Sequence, residues 1–118
     1  MRTIQDDSSG EDGRALGMAR FAGRTVVVSG AAQGMGEATA RLFAAEGANV
    51  VLGDVLEDKG AAVAASIGEK ALFSRLDVRN EEDWAKLVGQ AVDRFGTVDV
   101  LVNNAGIVHF SAVENMVA

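Results

Sequence analysis

Residues 26–38 read VVVSGAAQGMGEA, which places three glycines within seven positions directly after a run of valines. Glycine weakens both strands and helices, so a segment that only fills a core gains nothing from it. The stretch therefore predicts a tight connection whose backbone another group approaches closely. An ordinary glycine-rich turn without a ligand is the alternative that the stretch leaves open when it is taken alone.

Four short apolar runs, rich in β-branched residues, alternate along the chain with stretches of helix-forming residues. Runs that are apolar on both faces are typical of strands inside a parallel sheet. The predicted strands lie within residues 25–30, 47–54, 71–78 and 98–106, and the predicted helices cover residues 36–46, 57–67 and 84–95. Asn80 is the predicted N-cap of the third helix, and Gly96 is its predicted end.

This β-α-β-α-β-α-β alternation predicts an α/β fold, a Rossmann-type doubly wound parallel sheet with helices on both faces. The expected strand order is 3-2-1-4, so the order reverses between the first and fourth predicted strands. Ligands of such sheets bind at this switch point, outside the carboxyl ends of the strands. The glycine turn lies at that point because it follows the first predicted strand.

Composition narrows the classes of partner. The net charge of −6 argues against nucleic acid and anionic membranes, since both need a basic face. The chain has no cysteine and one histidine, which excludes disulfides and a His/Cys metal centre and fits a reducing compartment, so we expect a cytoplasmic protein without a metal. No apolar run approaches the ~20 residues that span a bilayer. Residues 1–20 begin with a polar, acidic stretch, and we expect a disordered leader there.

The glycine turn is suited to the pyrophosphate of a dinucleotide. Gly30 permits the tight turn, Gly34 lets the backbone approach the phosphates, and Gly36 lets the helix lie close to the strand. The N-terminus of the following helix adds N–H donors and a partial positive charge. No basic side chain is needed for this interaction, which suits an acidic protein.

Asp54 ends the second predicted strand, 24 residues after Gly30. A carboxylate at that place accepts hydrogen bonds from the adenosine ribose hydroxyls and repels a 2′-phosphate, which predicts NAD rather than NADP. Gln33 agrees with this preference, because a neutral side chain offers a 2′-phosphate no cationic partner. The alternatives for Asp54 are a solvated loop residue and a cap of the following helix.

Two further strand ends carry candidate residues. Asp77 is placed to accept from the adenine amino group and Val78 to form an apolar wall, although an Asp at a strand end equally predicts a turn cap. Residues 103–106 read NNAG. The Asn side chains there are expected to bridge backbone groups of neighbouring strands, and the small residues after them leave room for a cofactor. A plain Asn-Gly-type turn is the alternative.

The segment SGAAQGMG at residues 29–36 and the NNAG segment together resemble the short-chain dehydrogenase/reductase family, whose glycine turn reads T/S-G-x-x-x-G-x-G. The resemblance covers residues 21 to about 110. It implies these cofactor contacts: Gln33, Gly34 and Met35 at the pyrophosphate, Asp54 and Val55 at the adenosine ribose, Asp77 and Val78 at the adenine, and Asn104, Ala105 and Gly106 at the nicotinamide ribose.

The resemblance also implies an NAD-dependent oxidoreductase that transfers hydride between NAD(H) and an alcohol or ketone, of a steroid-like or other alicyclic kind. The family's catalytic Ser and Tyr-x-x-x-Lys pair have no counterpart here, since the chain stops at Ala118 and has no tyrosine. We interpret residues 21–118 as an NAD-binding Rossmann domain that is incomplete at its C-terminal end. We expect the chain alone to be inactive and its fourth strand to be an uncovered edge. Complete family members are usually homo-oligomers.

Two other functions remain open on the sequence. One is a binding module that holds a dinucleotide without chemistry. The other is a methyltransferase-like Rossmann domain, which also uses a glycine-rich turn and an acidic residue after the second strand. The glycine spacing and the NNAG segment argue against the latter. His109 follows the fourth strand, and we expect it to be an exposed loop residue.

Overall fold

The structure, a computed structural model, describes residues 2–5 and 21–104. Its elements alternate strand and helix after the first strand, as the sequence predicted. In chain order they are β1 (Arg2–Gln5), β2 (Thr25–Ser29), α1 (Gly34–Ala45), β3 (Asn49–Asp54), α2 (Glu57–Ile67), β4 (Ala71–Arg75), α3 (Glu81–Phe95) and β5 (Val100–Asn103). Within the described ranges, no helix is long and apolar enough to cross a membrane.

All strand pairs of the sheet are parallel, and the strand order is β1-β5-β2-β3-β4. The predicted order 3-2-1-4 corresponds to β4-β3-β2-β5 and is confirmed. The chain moves outward from β2 through β3 to β4 and then returns to the other side of β2 as β5. The carboxyl ends of β2 and β5 therefore flank the switch point, where a crevice is expected in this fold.

Alternate residues of each central strand face two separate cores. Val26 and Val28 of β2 belong to a buried cluster that includes Ala40 and Phe43 of α1 and Val63 of α2. Val27 faces the opposite side and joins a cluster built on α3, which contributes Trp84, Leu87, Val88 and Ala91. The strands are apolar on both faces because helices cover both faces.

The predicted helix ends are mostly confirmed. The Asn80 side chain accepts from the backbone N–H groups of Glu82 at 2.8 Å and Asp83 at 3.2 Å, which caps α3. Gly96 ends the helix in the left-handed conformation, with φ +87°. The first helix begins two residues earlier than residue 36, because the Gln33 carbonyl already accepts from the Glu37 N–H at 3.3 Å.

The strand β1 was not predicted from the sequence. Residues 1–20 were predicted to be a disordered leader, but Arg2–Gln5 pair with β5 in register, from Arg2 opposite Val100 to Gln5 opposite Asn103. The prediction is wrong for these four residues, and the outer edge of β5 is covered rather than open. A sheet edge offers unpaired N–H and C=O groups to any extended backbone, so this pairing needs no apolar pattern in the partner. Residues 6–20 lie outside the described part.

Candidate functional site

The glycine turn joins β2 to α1 in two left-handed steps. Gly30 has φ +66° and Gly34 has φ +61°, a conformation that other residues adopt at a cost. The turn is tied to the neighbouring strand, because the Ala31 N–H donates to the Gly53 carbonyl at 3.2 Å. The left-handed backbone conformation of the turn therefore favours glycine at both positions, independently of any ligand.

Gly36 is required for a different reason, since it is buried where α1 meets the turn. A Cβ at this position would collide with the Gly30 carbonyl and would lie 2.7 Å from the Asn104 Nδ2. The helix therefore lies against the turn at a distance that only glycine allows. The sequence predicted a close approach of the helix to the strand at Gly36, and the close contacts observed there are with Gly30 of the turn and with Asn104 after β5.

The outer side of the turn is open, in contrast to the side that Gly36 closes. A Cβ at Gly34 would have no neighbour within 4 Å, and the Met35 side chain is 46% exposed. Gln33, the N-cap residue of α1, makes no side-chain cap hydrogen bond, whereas Asn80 caps α3. The start of α1 thus presents a bare backbone surface and the positive end of a helix dipole, which fits an anionic group such as a pyrophosphate.

Asp54 lies at the carboxyl end of β3 and accepts hydrogen bonds from the backbone of two segments, the glycine turn after β2 and the connection before α2. Its Oδ2 accepts from the Ala32 N–H in the glycine turn at 3.0 Å, and its Oδ1 accepts from the Leu56 N–H before α2 at 3.0 Å. The alternative of a cap of the following helix is not observed, because Leu56 is the N-cap residue of α2 and the helix has no side-chain cap hydrogen bond. A carboxylate has about four acceptor sites, so two N–H donors leave capacity for two hydroxyl donors.

Asn104 fastens the end of β5 to the glycine turn. Its Nδ2 donates to the Gly30 carbonyl at 3.3 Å, and its backbone N–H donates to the Ser29 Oγ at 3.0 Å. The Ser29 hydroxyl in turn donates to the Val102 carbonyl at 3.4 Å. The expected bridge by an Asn side chain is thus observed for Asn104, and it holds the two sides of the switch point together.

Asp77 is engaged in its own turn after β4. The Oδ1 accepts from the Arg79 backbone N–H at 3.0 Å and from its Nε at 3.3 Å, while the Oδ2 lies 3.5 Å from the second guanidinium nitrogen. The backbone hydrogen bond from Arg79, followed by its side chain, lowers the pKa of the Asp77 carboxyl below its ordinary value. The geometry therefore shows the turn-cap role that the sequence left open.

A polar cleft of about 600 Å³ lies beside Asp77. Its lining residues are Asp77, Arg79, Asn80, Glu81 and Glu82. Val78, predicted to contact adenine, is partly buried and its side chain packs against the core cluster under α3. Its carbonyl accepts from the Trp84 Nε1 at 2.9 Å, so this turn is well anchored.

The structure adds one residue that sequence reasoning missed. The Lys59 Nζ, on the first turn of α2, donates to the Gln33 Oε1 at 2.9 Å and so joins α2 to the glycine turn. Val55, between Asp54 and this helix, is 51% exposed. The only sequence signal for Lys59 was a basic residue five positions after Asp54. Ala105, Gly106 and His109 lie outside the described residues.

No group of three or more His, Cys, Asp or Glu side chains suited to a metal ion occurs within the described ranges. The site is instead built of backbone N–H groups, one carboxylate and small residues. These are the features by which such folds hold dinucleotides.

A sequence profile of the short chain dehydrogenase family matches residues 24–118. The chain belongs to this family. It is 50% identical over 105 residues to trans-4-hydroxycyclohexanecarboxylate dehydrogenase of Sinomonas cyclohexanicum, covering 81% of this chain and 40% of that protein. It is 45% identical over 96 residues to 3-alpha-(or 20-beta)-hydroxysteroid dehydrogenase of Mycobacterium tuberculosis, covering 81% of this chain and 37% of that protein.

Solved structures of the family share the fold. The chain superposes on the 3-ketoacyl-(acyl-carrier-protein) reductase of Brucella melitensis complexed with NADH, with a TM-score of 0.70 and 42% identity over 73% of this chain and 35% of that one. This short-chain dehydrogenase chain thus spans about 40% or less of the length of the curated relatives described above.

Proposed function

We propose that this chain is the NAD-binding part of an oxidoreductase that exchanges hydride between NAD(H) and an alcohol or ketone. The observation that carries the proposal is the Asp54 carboxylate, which is held between the glycine turn and the start of α2 by the N–H groups of Ala32 and Leu56. NAD, when bound, supplies the nicotinamide ring that accepts or gives the hydride. The chain's own residues bind and orient the dinucleotide.

The preference for NAD over NADP follows from the charge and position of Asp54. Its remaining acceptor sites would take the two hydroxyls of the adenosine ribose, and its negative charge would repel a 2′-phosphate. The reductase complexed with NADH, which shares 42% sequence identity with this chain, supports a dinucleotide of this kind.

The other contacts follow from the crevice around Asp54. The N–H groups near Gln33, Gly34 and Met35 would face the pyrophosphate, with Gly30 and Gly36 shaping the turn, and Val55 would lie beside the ribose. Asp77 would accept from the adenine amino group through its Oδ2, which makes only the longer, 3.5 Å contact with Arg79, and the partly buried Val78 would form the apolar wall beside the ring. Asn104, Ala105 and Gly106 would line the ribose of the nicotinamide half.

The substrate class follows from the relatives. Those with 50% and 45% identity are named for hydroxycyclohexanecarboxylate and hydroxysteroid dehydrogenases, so we propose an alicyclic or steroid-like alcohol or ketone. The complete enzyme would act in the cytoplasm, as the lack of cysteine suggests, and as a homo-oligomer. The resemblance to the family implies a tyrosine that gives or takes the proton of the substrate hydroxyl. Because the chain has no tyrosine, we expect it to bind NAD(H) without turning over alcohols.

The test is calorimetric titration of the chain with NADH, NADPH and S-adenosylmethionine. We expect NADH to bind at least about tenfold more tightly than NADPH, a difference of ~1.4 kcal/mol. Asp54→Ala should weaken NADH binding at least about tenfold, since each hydrogen bond to a charged acceptor contributes about 1.5–3 kcal/mol, and should narrow the preference for NADH over NADPH. Asp93→Ala removes an exposed carboxylate from α3 and is the matched control.

Three results would contradict the proposal. They are the absence of NADH binding by a folded chain, unchanged discrimination in Asp54→Ala, and tighter binding of S-adenosylmethionine. A separate assay with NAD and 4-hydroxycyclohexanecarboxylate follows NADH absorbance at 340 nm, a property of the cofactor. We expect no turnover by this chain, and turnover would contradict the assignment of the proton transfer to a tyrosine.

A further inference from the structure

We propose that Lys59 is a second determinant of cofactor choice, whose ammonium group is placed to bind a 2′-phosphate and makes Asp54 the main barrier to NADP(H). This inference rests on the proposed function, because it assumes a dinucleotide whose ribose lies at Asp54. Gln33 then has a second role. Its neutral side chain offers a 2′-phosphate no charge, but its Oε1 holds the positively charged ammonium of Lys59 beside the site.

Lys59 lies close to the place where the adenosine ribose is proposed to bind. Lys59 and Asp54 connect the same two segments, the glycine turn and the start of α2. Asp54 reaches the turn at the Ala32 N–H, at 3.0 Å, and Lys59 reaches it at the adjacent residue, through the Gln33 Oε1 at 2.9 Å. A ribose that donates to Asp54 would therefore lie next to the Lys59 side chain, and a phosphate on its 2′-oxygen would be within the range of a long, flexible ammonium.

The charge of the Lys59 ammonium is not neutralised by an ion pair among the described residues. None of the ion pairs among residues 21–104 includes Lys59, and its recorded acceptor, Gln33, is neutral. Glu57, two residues earlier on α2, lies 4.0 Å from the Arg75 Nε. The helix neighbours at i+3 and i+4 are Ala62 and Val63, so the face of Lys59 carries no carboxylate.

A 2′-phosphate would be a stronger hydrogen-bond acceptor for Lys59 than Gln33 is. The Lys59–Gln33 hydrogen bond is exposed and its acceptor is neutral, so little stabilisation is lost when Lys59 leaves Gln33. A hydrogen bond between an ammonium and a phosphate is charge-assisted and roughly twice as strong as a neutral one. Lys59 would thus move from Gln33 to a 2′-phosphate when one is present, and it would gain nothing from an unmodified ribose.

The experiment compares the affinities for NADH and NADPH of four proteins. They are the unchanged chain, Lys59→Met, Asp54→Ala and the variant that carries both substitutions. Methionine keeps the length and helix propensity of lysine and removes the charge. Lys86→Met, on the exposed face of α3, is the matched control for loss of one positive charge. Lys59→Arg in the Asp54→Ala background tests rescue by a retained cation.

We expect Lys59→Met to weaken NADPH binding of Asp54→Ala about fivefold or more, a loss that rises at low salt because the contact is electrostatic. NADH binding should change less than twofold, Lys59→Arg should keep NADPH binding, and Lys86→Met should have little effect. Equal NADPH affinity with and without Lys59, or an equal loss in Lys86→Met, would overturn the inference.

The design separates this inference from the proposed function. A folded wild-type chain that binds no NADH overturns both, whereas NADH binding with no response to Lys59→Met overturns only the role of Lys59. If Asp54→Ala does not fold, the single Lys59→Met variant decides the question. With adenosine 2′,5′-bisphosphate as the probe and adenosine 5′-monophosphate as the reference, Lys59→Met should weaken only the bisphosphate, and equal weakening of both or of neither would refute the role.

Discussion

Two aspartates follow neighbouring strands and are held in different ways. Asp54 accepts hydrogen bonds from two separate segments, the glycine turn and the start of α2, so it fixes these two segments relative to each other. Asp77 accepts from Arg79, two residues later, and so stabilises only its own turn. The backbone N–H of Asp77 donates to the Asp83 Oδ2 at 2.9 Å, which joins that turn to α3.

The Asp77 carboxyl gives a prediction that depends on pH. Its pKa is below the ordinary value of 3.8 in the folded chain, first because of the Arg79 backbone N–H and second because of the Arg79 side chain. A lowered pKa means that the stabilisation is present above the ordinary value and is lost as the pH falls through the folded value. Arg79→Ala should raise the pKa of Asp77, but not fully to 3.8, because the backbone donor remains.

A carboxyl-detected NMR titration measures this pKa in both proteins. Arg24→Ala, which removes an exposed arginine outside this turn, is the control and should leave Asp77 unchanged. An Asp77 pKa that does not respond to Arg79→Ala would show that the guanidinium contributes nothing.

Some residues of the site could be predicted from the sequence and others could not. The glycines and Asp54 were predictable, because each residue type has a specific backbone or charge role at a fixed place in a βαβ unit. Lys59 was not, because its hydrogen bond to Gln33 joins residues 26 apart and depends on how α2 lies beside the turn. The cap that Asp77 forms on its own turn involves a residue only two positions away, so it could be predicted from the sequence as one of two alternatives.

At the scale of the elements, two helical glycines have opposite surroundings. Gly60 of α2 is buried, and a Cβ there would collide with the Phe73 ring on β4. Gly89 of α3 is exposed, and a Cβ there would have no neighbour within 4 Å. An alanine at Gly89 would therefore report the effect of helix propensity alone, whereas an alanine at Gly60 would also report the contact of α2 with the sheet.

We predict that Gly89→Ala stabilises the chain by about 1 kcal/mol, because alanine has the higher helix propensity. Gly60→Ala should instead destabilise it by about 1–3 kcal/mol, since the extra methyl overpacks the contact with the ring. Urea denaturation followed by circular dichroism gives both values. Changes of the same sign in the two variants would contradict the placement of α2 on the sheet.

The helices and central strands were predictable because their apolar periodicities match the two cores. The helix α3 is the clearest case, since Trp84, Leu87, Val88 and Ala91 share one buried face. The strand β1 was not predictable, because its backbone pairs with an edge that forms only after β5 has joined β2. The segment Arg2–Gln5 is a strand because it pairs with β5, and not because of its own residue pattern.

At the scale of the whole molecule, β1 decides whether the β5 edge is paired. Four ordered residues cost about 1–2 kcal/mol each in backbone entropy, which offsets hydrogen bonds worth about 0.5–1.5 kcal/mol each. We therefore expect deletion of residues 2–5 to change the free energy of unfolding by less than about 2 kcal/mol. The larger effect should be on the exposed edge of β5.

Hydrogen exchange measures this effect directly. In the deletion variant, the β5 amides that face β1 should exchange faster, while those that face β2 should keep their protection. Light scattering should show more self-association, because an unpaired edge is a template for a second chain. Unchanged exchange throughout residues 100–103 would contradict the pairing of β1 with β5.

We propose that the bare backbone at the start of α1 and the Asp54 carboxylate together hold a dinucleotide. Amide chemical-shift mapping during titration of the chain with NADH locates the surface that binds the cofactor. We expect saturable shifts that are largest at Gln33, Gly34 and Met35 and at Asp54, with little change at Asn49, at the opposite end of β3. Shifts that do not saturate, or that concentrate at the amino ends of the strands, would show that this surface does not bind the cofactor.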